Sequence, residues 1–294
     1  MARILLFVLA AVLCTVIAER LEKEVSGIKF LALKRAGKIF VFPANKNNGS
    51  GVILDFDSVA EYNAAGQLVD GGRRNFQNFE KLDFKFYGDR DATFQNISCR
   101  TFSMEAKIPS TNATFRVQLF IFKENGTYEW GDEAIDVTRG ALKFNIEVED
   151  WKFCGSGNLT CRRSGQNEVG EYLEVVICIK GRKSPTMGAE RPRKMRMGRI
   201  LKMAQRWNMG GTYLELPSAV EIDGVMKNQT SGYPRMTRAR AGCFVMRFPK
   251  FNRKMIYDPA IEVDPTYEDP DSGSRPLQVS LVLACVSLLA AWLH

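Results

Sequence analysis

Apolar and polar residues alternate with a period of two along much of the chain. Leu142, Phe144, Ile146 and Val148 alternate with Lys143, Asn145, Glu147 and Glu149, the pattern of a strand with one buried face. Phe115, Val117, Leu119 and Ile121 alternate with Arg116, Gln118 and Phe120, and Leu82, Phe84 and Phe86 with Asp83, Lys85 and Tyr87. Phe102, Met104, Ala106 and Ile108 repeat the theme. Ile28 to Leu33, Ile39 to Phe42 and Leu173 to Ile179 are more continuously apolar, as expected of strands covered on both faces.

Turn residues recur at short, strand-like intervals, and no Pro/Gly/Ser-rich linker or internal repeat divides the chain. The spacing predicts an all-β fold, a two-sheet antiparallel β-sandwich of about ten strands in one domain. Asp57 to Ala65 and Met195 to Trp207 are the only helix candidates, and neither carries convincing caps.

The two ends read as addresses. Residues 1–18, with Arg3 ahead of an apolar run and Val16 and Ala18 before the cleavage point, have the layout of a signal peptide. Ser272-Gly273-Ser274, a polar spacer and the apolar run Val279 to Leu293 have the layout of a GPI-attachment signal. That run is short for a bilayer span, and no Lys or Arg follows it. The expected organisation is a leader (1–18), an extracellular β domain (19–257), a polar stem (258–272) and a removed propeptide (273–294), with Ser272 as the attachment site.

An oxidising compartment fits the remaining chemistry. Asn48, Asn96, Asn112, Asn125, Asn158 and Asn228 each begin an Asn-X-Ser/Thr sequon, a glycan acceptor in a lumenal chain. Outside the expected leader and tail stand Cys99, Cys154, Cys161, Cys178 and Cys243. Cys154 and Cys161 flank a short glycine-rich loop and are expected to form a disulfide. Among Cys99, Cys178 and Cys243 two pair and one is left over, and the sequence does not say which.

Charge is concentrated in one place. From Gly181 to Arg206 nine cations face the single Glu190, a local net of plus eight that equals the net charge of the whole chain. Interleaved methionines and prolines predict a mobile basic insertion (181–206) between strands. Arg191, Arg193, Lys194, Arg196, Arg199 and Lys202 are its candidate binding residues. A solvated loop, a protease-sensitive connection and a cationic surface for acidic extracellular polymers or proteins are the competing readings. Nucleic acid is not an expected partner behind a signal peptide; a membrane is, through the lipid anchor. Oligomeric state is not readable.

The only histidine is His294, inside the expected propeptide, so histidine-based nucleophile activation, general base chemistry and metal sites are excluded from the mature domain. Asp132, Glu133, Asp136, Glu147, Glu149 and Asp150 are the densest carboxylates, the raw material for glycoside hydrolysis, but alternation puts Glu147 and Glu149 on a solvent face. Asp55 with Asp57, and Asp264, Glu268, Asp269 and Asp271, lack a calcium-loop spacing. No catalytic residue, metal or cofactor is expected. Trp151 reads as core, Trp130 as core or a sugar-stacking ring, and Trp207 as open.

Asp150-Trp151-Lys152-Phe153-Cys154, Val169 to Glu174, Ile179 to Lys183, Gly232-Tyr233-Pro234 and Arg247 to Asn252 resemble a family of uncharacterized secreted proteins of the skeletal organic matrix of stony corals, over Ile28 to Pro259. The resemblance implies extracellular residence, a β-rich domain and association with a calcified skeleton, and it brings no known site residue. The sequence pI near 9.1 favours contact with acidic partners over direct calcium nucleation. The expected function is therefore a GPI-anchored glycoprotein that binds or organises acidic extracellular matrix. The alternatives are a cell-surface recognition or adhesion receptor and, behind both, a histidine-free carbohydrate-active enzyme.

Overall fold

The computed structural model describes residues 20–44, 51–69, 75–155, 161–163, 166–181, 183–189, 192–196, 198–237 and 240–263. The expected leader, Asn48, Asn158, Arg191, Ser272 and the C-terminal tail lie outside them.

Two large antiparallel sheets pack face to face. The first runs Arg20–Val25, Ile28–Leu33, Lys38–Pro43, Val52–Tyr62, Tyr172–Lys180, Cys243–Pro249 and Arg235–Met236, with Asn75–Phe76 added on Val52–Tyr62. The second is built from Lys85–Phe94, Ile97–Lys107, Thr114–Phe122 and Leu142–Glu149 in that spatial order. The far edge of Leu142–Glu149 is shared: Lys254–Tyr257 pairs with Ile146 to Glu149, and Ala260–Val263 pairs with Leu142 and Lys143. From these two strands the sheet branches to Ala219–Ile222 and Val225–Asn228 on one side, and to Thr212–Leu216, Gln205–Asn208 and Thr186–Met187 on the other.

The sandwich expectation holds, with many more and shorter strands than the ten expected. The main core between the sheets takes Phe30, Phe56, Phe102, Phe115, Phe144, Trp151 and Phe244. Phe115 meets Phe79 and Phe56 edge-on, at 4.8 and 5.2 Å between centroids, and each such buried ring contributes roughly 1.5–3 kcal/mol of hydrophobic stabilisation. Trp151 belongs to this core as expected, and Trp207 joins it against Phe244 at 5.0 Å. Ile28–Leu33 and Lys38–Pro43 alternate buried with half-buried positions rather than being covered on both faces, because they lie toward the edge of the first sheet.

A smaller four-stranded sheet covers part of the outer face of the second. It comprises Gly126–Trp130, Glu133–Val137, Arg199–Met203 and Lys194–Arg196. A second core of Ile97, Cys99, Phe120, Phe122, Tyr128, Ile135 and Val137 fills the space beneath it. This layer explains why the clearest alternating segment, Leu142–Glu149, is buried on both faces: its apolar set enters the main core, while Lys143 and Asn145 point under the small sheet.

The loop, helix, domain-end and Glu147 expectations are corrected. The basic insertion is not a loop: it contains strands Thr186–Met187, Lys194–Arg196, Arg199–Met203 and Gln205–Asn208. These strands are placed by pairing with the hairpin 126–137 and with each other, which replaces the helix expected at Met195 to Trp207; the other helix candidate is mostly strand Val52–Tyr62. The domain does not stop at Tyr257, since Asp258 is fully buried and Ala260–Val263 is a sheet strand. Glu147 is 6% exposed rather than solvated, held by Arg116 at 3.0 Å.

Disulfides join Cys154 to Cys161, as expected, and Cys178 to Cys243, which are opposed in register on neighbouring strands. Cys99 is the buried free thiol, and burial raises its pKa.

Candidate functional site

The cationic strands are laid against an acidic hairpin. Gly126–Trp130 and Glu133–Val137 turn at Gly131, whose φ of 61° lies in the left-handed region that glycine enters without strain. Arg199–Met203 adds to this hairpin in parallel, with Lys202 opposite Glu133 and Met203 opposite Ala134. Lys194–Arg196 then closes back on it as the outermost strand.

The pairing places opposite charges together. Lys194 Nζ donates to Asp136 Oδ1 at 2.6 Å and to Thr127 Oγ1 at 2.8 Å. Arg199 Nη2 donates to Asp132 Oδ1 at 2.9 Å, and its Nη1 lies 3.6 Å from Glu129. Farther along, Arg206 donates to Glu262 at 2.7 Å and stacks its guanidinium 4.0 Å from the Tyr213 ring centroid. Arg193 and Lys202 are exposed. They border a polar cleft with Asp132, Glu133, Ser218 and Asn228. Arg196 lies on the outermost strand.

Glu133 forms the floor of this cleft. Burial raises its pKa, and the hydrogen bonds it accepts from the Ser218 hydroxyl (2.8 Å) and backbone N–H (2.7 Å) offset part of that rise. Trp130 donates from Nε1 to the Ala219 carbonyl at 3.0 Å, so its role is to tie the side sheet to the branch beyond the cleft. Met195 and Ile200, opposed across the outer hairpin, are both well exposed.

The densest carboxylates of the sequence are thus distributed as counter-ions. Asp132 and Asp136 meet Arg199 and Lys194, while Glu147 and Glu149 meet Arg116 at 3.0 and 3.5 Å. Asp55 sits 3.6 Å from Lys38 and 3.7 Å from Lys180, and Asp57 bonds Arg240. Among the described residues no group of acidic, cysteine or histidine side chains converges as a metal site. The acidic hairpin's role was missed from sequence, although the run Glu129, Asp132, Glu133, Asp136 is itself the signal for a partner of a basic segment.

Four sequon asparagines fall on described residues, and Asn96, Asn112, Asn125 and Asn228 are all exposed. Asn96 and Asn112 occupy turns with φ of 67° and 56°, conformations asparagine tolerates better than most residues. Asn125 uses its Oδ1 to accept from the Arg139 N–H at 2.7 Å, which leaves the bond on the oxygen and not on the nitrogen that a glycan takes.

Four of the five motifs scattered through the sequence meet at one end of the sandwich, while Ile179 to Lys183 lies at the far end of strand Tyr172–Lys180. Glu61 is fully buried; it accepts from Trp151 Nε1 at 2.9 Å and from the Cys154 N–H at 2.7 Å. A Cβ on Gly170 would lie 1.8 Å from Glu61 Oε1, so only glycine fits there. Phe153 packs edge-on against Phe251 at 5.2 Å, and the Lys250 N–H donates to the Glu171 carbonyl at 2.9 Å. Arg247 pairs with Glu174 at 2.5 Å and stands 5.0 and 4.9 Å from the Tyr62 and Tyr233 rings. Burial, with Glu174 adding to it, pushes the Tyr62 hydroxyl up to about 12.

A family model described as acidic skeletal organic matrix protein matches residues 24–293. The chain belongs to that family. Membership assigns this skeletal organic matrix protein to the extracellular matrix of a mineralised skeleton, in agreement with the motif resemblance. The family's description says acidic, whereas this member carries 41 Lys and Arg against 33 Asp and Glu. Its excess of cations lies in the sequence at 181–206, and two strands of that segment, Lys194–Arg196 and Arg199–Met203, join the acidic hairpin in the small sheet.

Proposed function

We propose that this skeletal organic matrix protein is a non-enzymatic, N-glycosylated β-sandwich that binds acidic polymers or proteins of the extracellular matrix through the cationic strands of its small sheet, and that a glycolipid at Ser272 holds it at the outer cell surface. The observation that supports binding is the single side sheet on which Arg193, Lys194, Arg199 and Lys202 gather, with Lys194 and Arg199 held by aspartates in solvent-accessible pairs. Exposed pairs are worth at most about 1 kcal/mol. A polyanion therefore displaces the aspartates at little cost and gains several cations at once.

Binding of the secreted domain to heparin or to an acidic matrix fraction should weaken steeply with salt, since exposed charges are screened beyond about 10 Å at 0.1 M. Replacing Arg191, Arg193, Lys194, Arg196 and Arg199 by Ser should remove most of it; unchanged binding sinks the reading. Release from cells by phosphatidylinositol-specific phospholipase C tests the anchor, and retention with a peptide from Leu281 to Leu293 still attached refutes it. Enzymatic deglycosylation followed by peptide mapping tests Asn48, Asn96, Asn112, Asn125, Asn158 and Asn228, and all six unmodified refutes the glycoprotein assignment.

A further inference from the structure

Beneath the small sheet lies a polar cluster that matrix binding does not use. Lys143 and Asp258 are both 0% exposed, and Asn145 is 8% exposed. Lys143 Nζ donates to Asn145 Oδ1 and touches Asp258 Oδ1. The rings of Phe94, Phe120 and Tyr128 surround the same nitrogen at 4.1, 4.5 and 5.7 Å to their centroids. Neither Asp258 oxygen accepts a hydrogen bond of ordinary geometry, and Lys143 is the only cation acting on it among the described residues.

Burial dominates the ionisation of both groups. It lowers the pKa of Lys143 and raises Asp258 to about 6, and the attraction between them opposes each shift without cancelling it. Both shifts run toward the neutral forms, so each raises the fraction present as a free amine beside a carboxylic acid above that of the same groups in water. A neutral amine is a nucleophile, and an un-ionised carboxyl is an electrophile that can supply the acyl group. Fixed in contact and shielded from bulk water, such a pair reacts with an effective molarity on the order of 10⁵ M or more.

We propose that Lys143 and Asp258 condense to an intramolecular amide that staples strand Leu142–Glu149 to the segment leading into Ala260–Val263. The Lys143 nitrogen lone pair adds to the Asp258 carboxyl carbon and forms the C–N bond. One amine proton passes to the carboxyl hydroxyl, which leaves as water, and the other carboxyl oxygen becomes the amide carbonyl. No oxidant or cofactor enters the balance. Asn145 is a positioning residue: its Oδ1 accepts an Nζ–H, turning the lone pair toward Asp258, and afterwards accepts the remaining amide N–H. The product is neutral and cannot ionise, so no residual charge is left to be kept out of water. It also fastens the last described strand, through which any pull from the C-terminal side enters the fold.

The test is a peptide map of the secreted full chain after removal of N-glycans, denaturation, reduction, alkylation and trypsin, conditions no ion pair survives. The expected result is that trypsin fails to cut after Lys143, because its amine is acylated. A branched species then joins Gly140–Lys152 to the peptide beginning at Met255, lighter than the two together by about 18 Da, one water. Cleavage after Lys143 with every peptide linear and at full mass overturns the proposal. A loss of about 17 Da confined to Gly140–Lys152 also overturns it, since that is ammonia lost in a bond to Asn145. In Asn145→Ala, protein collected soon after secretion should show a several-fold lower linked fraction with the same two disulfides formed; an equal fraction removes Asn145 from the reaction.

Discussion

Lys143 and Lys194 each meet an aspartate, one beneath the small sheet and the other on it. Lys143 and Asp258 are sealed at 0% exposure, whereas Lys194 and Asp136 are each 42% exposed. The same two functional groups therefore have opposite physical meaning. Around Lys143 the aromatic shell and the absence of water make charge costly and proximity permanent. On Lys194 water and salt compete for both partners, so the pair is weak and exchangeable. The buried pair suits a structural fastening, and the exposed one suits a surface that trades its own carboxylates for those of a ligand.

Removing one buried partner should have the largest effect. Asp258→Ala removes the partner of Lys143 and leaves its amine unpaired in an apolar pocket, which should cost about 3–5 kcal/mol, the range for breaking a buried pair. The double variant Lys143→Met, Asp258→Ala should recover a good part of that loss, because an apolar side chain is compatible with Phe94 and Phe120. Denaturant unfolding measures both. A single variant within about 1 kcal/mol of the parent would mean the site is wetter than its burial indicates.

Asp223 stands between the two extremes. It opens the two-residue Asp-Gly turn of the hairpin Ala219–Ile222/Val225–Asn228 with φ of 52°. Its carboxylate accepts the N–H groups of Asn252, Arg253 and Lys254 at 2.8, 2.8 and 2.9 Å. Burial raises its pKa, but these three donors outweigh burial and hold it below the ordinary 3.8. A lowered folded pKa stabilises the protein above the unfolded value and loses that contribution as pH falls through the folded one. Asp223→Ala should therefore cost about 2 kcal/mol near neutral pH, and the difference from the parent should shrink as pH drops below the ordinary carboxylate range. A gap that stays constant down to pH ~2 would assign the effect to backbone strain at a left-handed position instead.

The sandwich was legible because its signal is local. Leu142–Glu149 and Thr114–Phe122 appear where alternation puts them, and Cys154 meets Cys161 across the expected short loop. What escaped depends on a second layer, which alternation along one strand cannot report. Lys143, Asn145 and Glu147 read as wet because they are polar, yet their side of the sheet is covered or ion-paired. The basic segment read as a loop because its cations, methionines and prolines were weighed without the acidic hairpin 126–137 that receives it. Pairing between segments so far apart, one of them added in parallel, leaves no periodic trace in either alone. Cys178 and Cys243 became partners only once their strands were adjacent in register.

The smallest effect belongs to the exposed pair. Lys194→Ser removes two hydrogen bonds, to Asp136 and Thr127, but water replaces both, so stability should change by no more than about 0.5–1 kcal/mol. Asp136→Asn should be equally mild for the fold and should leave Lys194 freer to meet an external anion. The two substitutions then diverge in binding: at low salt Lys194→Ser weakens heparin retention and Asp136→Asn strengthens it. That divergence separates an exchangeable binding surface from a merely solvated one when it exceeds the shifts produced by the same two charge changes at exposed positions far from the small sheet, since net charge alone gives the same signs. If both variants elute with the parent, the Lys194 pair is a surface ornament and the cations that bind must be sought at Arg193 and Lys202.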